Sequence, residues 1–170
     1  MSEGMPPAAE TSAWDELARV AADRGDAEEA SDEIRQLLAF DIDGTPYAVP
    51  VERVREIVRM RPVTPVPRVS EYVRGVISLR GEIVEVVDMR RFLGLDPIEP
   101  TRRTRIIVAR TTNGEMAAIL VDAVREVLRV TNDAIRPAPV SESGVVESLC
   151  VCGDEFVSLI ELDRVLAIDA

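Results

Sequence analysis

The chain has 170 residues, 46% hydrophobic but only 4% aromatic, which is room for one ordinary domain or two very small ones built on Val, Ile and Leu cores. Its net charge of −11 leaves no basic footprint for nucleic acid and no basic face for a membrane surface. There is no His, and all 20 positive charges are arginine, so acid–base work by imidazole, Schiff-base chemistry and a Walker-type phosphate loop are excluded and only a carboxylate-based active site remains open.

The first 35 residues differ from the rest. Residues 1–36 hold ten acids against three arginines, so most of the excess charge lies here. MSEGMPPAAETSA and DRGDAEEASDE read as solvated, flexible chain. Between them, WDELARVAA sets Trp14, Leu17, Ala18 and Ala21 on one helical face. Two readings fit: a short amphipathic helix that frays around an incidental Trp, or a docking peptide whose anchors are Trp14 and Leu17.

From residue 36 to 170 the chain reads as strands and turns. Asp43-Gly44, Arg80-Gly81, Asn113-Gly114 and Gly153-Asp154 each divide two strand-like runs and predict four hairpins. VERVREI after Pro50 and AVREV after Asp122 are expected as short helical turns, and MRRFL is expected to be capped by Asp88 and ended by Gly94. PVTPVP (62–67) and RPAP (136–139) are extended connectors. In SLCVCGDEF, Cys150 and Cys152 share one strand face, poorly placed to bridge each other and only half a zinc site; they read as small buried residues in a reducing compartment. No apolar run approaches the ~18 residues of a membrane span and the N-terminus lacks a signal core, so the expected location is the cytoplasm, with no membrane insertion.

The pattern occurs twice. Gly44 and Gly114 are 70 apart, and at that offset VREIVRM (54–60) overlies VREVLRV (124–130); VEVVDMRRFL (84–93) overlies VSLIELDRVL (157–166) at an offset of 73. Short strands with glycine turns favour small closed barrels, which leave little edge exposed. The expected fold is therefore all-β: two similar five-stranded barrels, from roughly 36–100 and 101–170, with short helical turns and a tail over 1–35.

GVISLRGEIVEVVDMRRFLG closely resembles the signature of CheW, the bacterial chemotaxis coupling family. So do LLAFDIDGTPYAVPVERVREI before it and IIVARTTNGEMAAILVDAVREVLRV with IRPAP after it; the resemblance covers 37–168 and leaves the tail outside. It implies two intertwined SH3-like barrels over 36–170 and a non-enzymatic adaptor without cofactor or metal. Such an adaptor links the cytoplasmic tips of methyl-accepting chemoreceptors to the regulatory domain of a CheA-type histidine kinase, recruited to membrane-anchored receptor arrays. Where the family usually has Asn before Leu-Arg-Gly, this chain has the shorter Ser78.

The positions matching the family's receptor groove are Leu38, Val51, Val54, Ile57 and Val124. Val51, Val54 and Ile57 fall at i, i+3 and i+6, a narrow apolar stripe on a helical turn, and Val124 repeats Val54. From the residues alone, ordinary core packing is the simpler account of all five; the resemblance turns the reading toward a groove. It also implies that the hairpin of Gly75, Ser78, Arg80 and Gly81 docks a partner, with Glu56 pairing to Arg80. Two other functions remain on the page. One is a carboxylate enzyme using Asp88 and Glu161, which correspond in the repeat but suit helix starts. The other is a coupling protein of a non-flagellar pathway, such as surface motility or development.

Overall fold

The computed structural model describes residues 33–138 and 145–166, so the expected tail helix, with Trp14 and Leu17, lies outside the described residues. The first half runs β1 (Ile34–Ile42), β2 (Thr45–Pro50), β3 (Val54–Arg59), β4 (Val73–Leu79), β5 (Glu82–Asp88) and the one-turn α1 (Met89–Phe92). The second runs β6 (Arg105–Arg110), β7 (Met116–Val121), β8 (Ala123–Thr131), β9 (Ile135–Pro137), β10 (Val146–Cys152), β11 (Glu155–Ile160) and α2 (Leu162–Leu166). All four expected turns close hairpins: β1–β2, β4–β5, β6–β7 and β10–β11 are antiparallel pairs. At two of the tips both central residues are left-handed, Asp43 and Gly44 at φ 55° and 78°, Arg80 and Gly81 at 52° and 86°. That is the turn whose twist matches the flanking strands.

Two sheets form, one in the order β8-β1-β2-β11-β10-β9 and one in the order β3-β6-β7-β5-β4. When each strand is replaced by its repeat counterpart, the second order becomes the first without β9. Each half therefore lends its opening hairpin to the other half's sheet. The exchange is made through parallel pairs, β2 with β11 and β5 with β7. The first sheet has six strands rather than the five expected. Its extra member is the three-residue β9, and the PVTPVP connector supplies only a single bridge, Thr64 to Val76, at the matching place.

VERVREI and AVREV were expected as helical turns, but Val54–Arg59 and Ala123–Thr131 are strands instead. Only Val51–Arg53 makes one 3-10 turn, and Val54–Arg59 alternates between half-buried and exposed. β-Branched residues at every second or third position are stiff at χ1 and suit a pleated surface. Ile57 falls on the exposed side of this alternation, and its spacing of three from Val54 made the stretch look helical. The MRRFL turn did form as expected: Asp88 accepts from the Arg90 amide at 3.0 Å, and Gly94, at φ 81°, closes the end.

The core has three parts. One lies between the sheets and includes Leu38, Phe40, Ile107 and Ile119; the others fill the two barrels, around Leu37 and Leu159 and around Ile106 and Val84. β1 and β6 feed the central core with one face and a barrel core with the other. This is why LLAF and IIVA are unbroken apolar runs.

Candidate docking surface

The second sheet closes through the hairpin that carries Arg80. β3 and β4 are its two edges, and three contacts tie β3 and the connector after it to the β4–β5 hairpin. Thr64 and Val76 exchange backbone hydrogen bonds of 2.9 and 2.8 Å, the Arg61 guanidinium donates to the Ser78 carbonyl at 3.3 Å, and Arg80 pairs with Glu56 at 3.2 Å. Gly75 is what lets the connector approach. It is buried in β4 at φ 149°, and an added Cβ would stand 2.2 Å from the Thr64 carbonyl oxygen. Gly81 needs no such space; it supplies the positive φ of the tip. The Ser78 hydroxyl makes no hydrogen bond among the described residues, so the backbone carbonyl alone receives the support from Arg61.

Arg80 is 78% exposed and holds a left-handed backbone, while Glu56 is 29% exposed. A non-glycine residue there is uncommon and strained. The ion pair stabilises the fold only slightly, because solvent screens it.

Among the expected groove residues, Leu38 is one of the buried residues of the central core, and Val51, Val54 and Val124 are among the half-buried residues at the margin of that core. Ile57 stands apart from that cluster, 41% exposed between the exposed Arg55 and Arg59. Sequence reasoning missed its counterpart: Val127, 70 positions later, is 51% exposed between Arg125 and Arg129, and the offset that gave Val124 would have found it. It also missed Ile83 and Phe156, 73 apart, each exposed just past a hairpin tip at 69% and 61%.

The two helical turns lock the barrels with reversed charges. In one lock Arg90 of α1 reaches Asp43 at the β1–β2 tip (3.0 Å) and Asp122 before β8 (3.1 Å); Asp122 also accepts from the Asp43 amide at 2.8 Å. Asp122 is thus a receiver for Arg90 and a turn amide, not a helix cap. In the other, Asp163 of α2, the repeat counterpart of Arg90, pairs with Arg53 at 2.7 Å and accepts from the amide (3.0 Å) and hydroxyl of Thr112. The Thr112 hydrogen bonds first, and then Arg53, hold the Asp163 carboxyl below the usual carboxylate range.

Of the carboxylates weighed for catalysis, only that of Asp88 has hydrogen-bond or ion-pair partners among the described residues. Asp88 is buried, caps α1 and pairs with Arg74 at 3.2 Å; the Glu161 backbone carries the start of α2. Among the described residues no three His, Cys, Asp or Glu side chains are grouped to hold a metal, and no helix is long and apolar enough to cross a membrane. Cys150 and Cys152 lie on one face with sulfurs 3.3 Å apart and unbridged; burial, and then the Cys152 neighbour, push the Cys150 thiol up to about 12.

The CheW-like domain model matches residues 36–170. The chain is 34% identical over 137 residues to a probable chemotaxis protein CheW of Rhizobium etli, covering 78% of this chain and 88% of that protein. It is 38% identical to the chemotaxis protein CheW of Rhizobium meliloti (77% and 86% covered) and 32% identical to protein FrzA of Myxococcus xanthus (76% and 80% covered). Among solved structures, the scaffolding protein TtCheW of Thermoanaerobacter tengcongensis superposes with a TM-score of 0.71 at 27% identity, over 76% of this chain and 90% of that one.

Proposed function

The chain belongs to the CheW-like domain family, built of two SH3-like barrels, and on that footing we propose that it is a chemotaxis coupling adaptor without catalytic activity. It acts in the cytoplasm, joining the tips of methyl-accepting chemoreceptors to the regulatory domain of a CheA-type histidine kinase. The apolar margin formed by Val51, Val54 and Val124 over Leu38 receives the receptor tip, and the Arg80–Glu56 hairpin docks a partner.

The observation that carries this reading is Arg80. A residue 78% exposed in a strained tip adds little to folding, and its guanidinium, fixed 3.2 Å from Glu56, is a preorganised charge for an interface. Two barrels of like build offer quasi-equivalent faces, from which heterologous contacts close into rings. A receptor shift then alters the kinase through a coupling of about 1–3 kcal/mol. The similarity to a relative of a different name, FrzA, favours a second reading, an adaptor of a pathway other than flagellar chemotaxis.

Affinity capture from the source cell, with the chain as bait, tests both. Recovery of a chemoreceptor and a CheA-type kinase together supports the proposal, and the identity of the receptor separates the two pathways. Capture of neither refutes it.

A further inference from the structure

The face that β1 and β8 share next to the central core continues beyond it. Cross-strand partners point the same way, so Leu38 with Val127, Gln36 with Arg129 and Ile34 with Thr131 line one surface. On it Ile34 is 39% and Val127 51% exposed, and Arg129 makes no ion pair among the described residues. At its end a depression of about 660 Å³ is lined by Glu33 to Gln36, Val51, Glu52 and Arg129. The described chain begins in the wall of this depression, at Glu33.

What precedes Glu33 carries an apolar stripe for Ile34 and Val127 and acids for Arg129, the depression itself being lined by two acids, Glu33 and Glu52, and two arginines, Arg35 and Arg129. Residues 1–32 carry nine acids and two arginines, a net of −7, and bear the chain's one Trp on the stripe Trp14, Leu17, Ala18, Ala21. The twelve residues between Ala21 and Ile34 can span about 40 Å when extended. The nine-residue β8 is only about 30 Å long.

We propose that residues 1–32 fold back as an intramolecular occupant of this face, with Trp14 and Leu17 against Val127 and Ile34 and the acidic run 23–32 beside Arg129. Because the face adjoins Val51, the segment then competes with a receptor tip; that consequence rests on the function proposed above. Tethering gives a local concentration near the millimolar range, so even a weak contact is substantially populated. The receptor's apparent Kd rises in inverse proportion to the fraction left unoccupied.

Trp14 reports the contact directly in the full chain, since there is no other Trp. Its emission should be blue-shifted, and its quenching by acrylamide at least twofold weaker than that of a synthetic 1–32 peptide. Val127→Asp and, independently, Arg129→Glu should each return both readings to the peptide's values; both sites are exposed, so the fold is expected to survive. Trp14 quenched like the peptide in the unmodified chain, or protection that survives both substitutions, overturns the proposal. Protection that disappears on dilution makes the occupant a second copy and overturns it too. Trp14→Ala should tighten binding of a soluble receptor-tip fragment two- to fivefold. If the fragment binds neither form while Trp14 is protected, the receptor reading falls and the fold-back stands.

Discussion

Truncating Arg80 separates folding from docking, because its ion pair is worth different amounts in the two states. In the free protein the Arg80 side chain is 78% exposed and Glu56 29%, with one contact of 3.2 Å and a second of 3.4 Å. Such a solvent-facing pair is worth only about 0.2–1 kcal/mol to stability. Ala inherits the same left-handed backbone, so strain changes little. Covered by a partner, the same pair is desolvated, and removing one member costs about 2–5 kcal/mol of binding. Arg80→Ala should therefore shift the melting temperature by a few degrees at most and weaken the ternary complex at least tenfold, about 1.4 kcal/mol. Glu56→Ala should weaken it as well, and the double variant should lose less than the sum of the two. Calorimetric titration of all four proteins against receptor fragment and kinase regulatory domain gives the cycle. Strict additivity would refute the pairing, and an undiminished Arg80→Ala complex would reduce the tip to a turn.

Gly75→Ala should cost about 3 kcal/mol or more, roughly 10 °C in thermal melting, because its Cβ would meet the Thr64 carbonyl at 2.2 Å and backbone must move; a melt unchanged within 3 °C would contradict the close crossing. The Asp163 carboxyl is held below its ordinary range, so the stability it contributes is present above about pH 4 and is lost as pH falls through its folded value. Asp163→Asn should flatten that acid limb in urea titrations, and parallel limbs would refute the lock. With its thiol raised to about 12 and buried, Cys150 should resist alkylation at pH 8 while Cys152 reacts, and both should react in denaturant; mass spectrometry of the labelled peptides decides.

Local patterns made the hairpins legible, since Asp-Gly and Arg-Gly tips between β-branched runs leave few alternatives. The duplication was legible for the same reason. Strand exchange was not: nothing in LLAFDI says that β1 will lie beside β8 and β2 beside β11, because sheet neighbours are chosen by long-range burial. VREIVR misled because Ile57, the apolar residue that completes the i, i+3 spacing, sits on the exposed side of a strand. Val51, Val54 and Val124 at the margin of the central core could be named from the resemblance, whereas Val127, Ile83 and Phe156 needed the repeat to be followed one step further, to positions where an apolar residue is exposed.

Reconstitution measures the proposed coupling of receptor to kinase itself. Receptor-containing vesicles, the cognate kinase and labelled ATP are combined with and without the purified chain, and kinase autophosphorylation is followed with and without attractant. The account predicts that phosphorylation rises and becomes attractant-sensitive only when the chain is present, and that Arg80→Ala blunts both changes. Kinase control that is the same with and without the chain would contradict it.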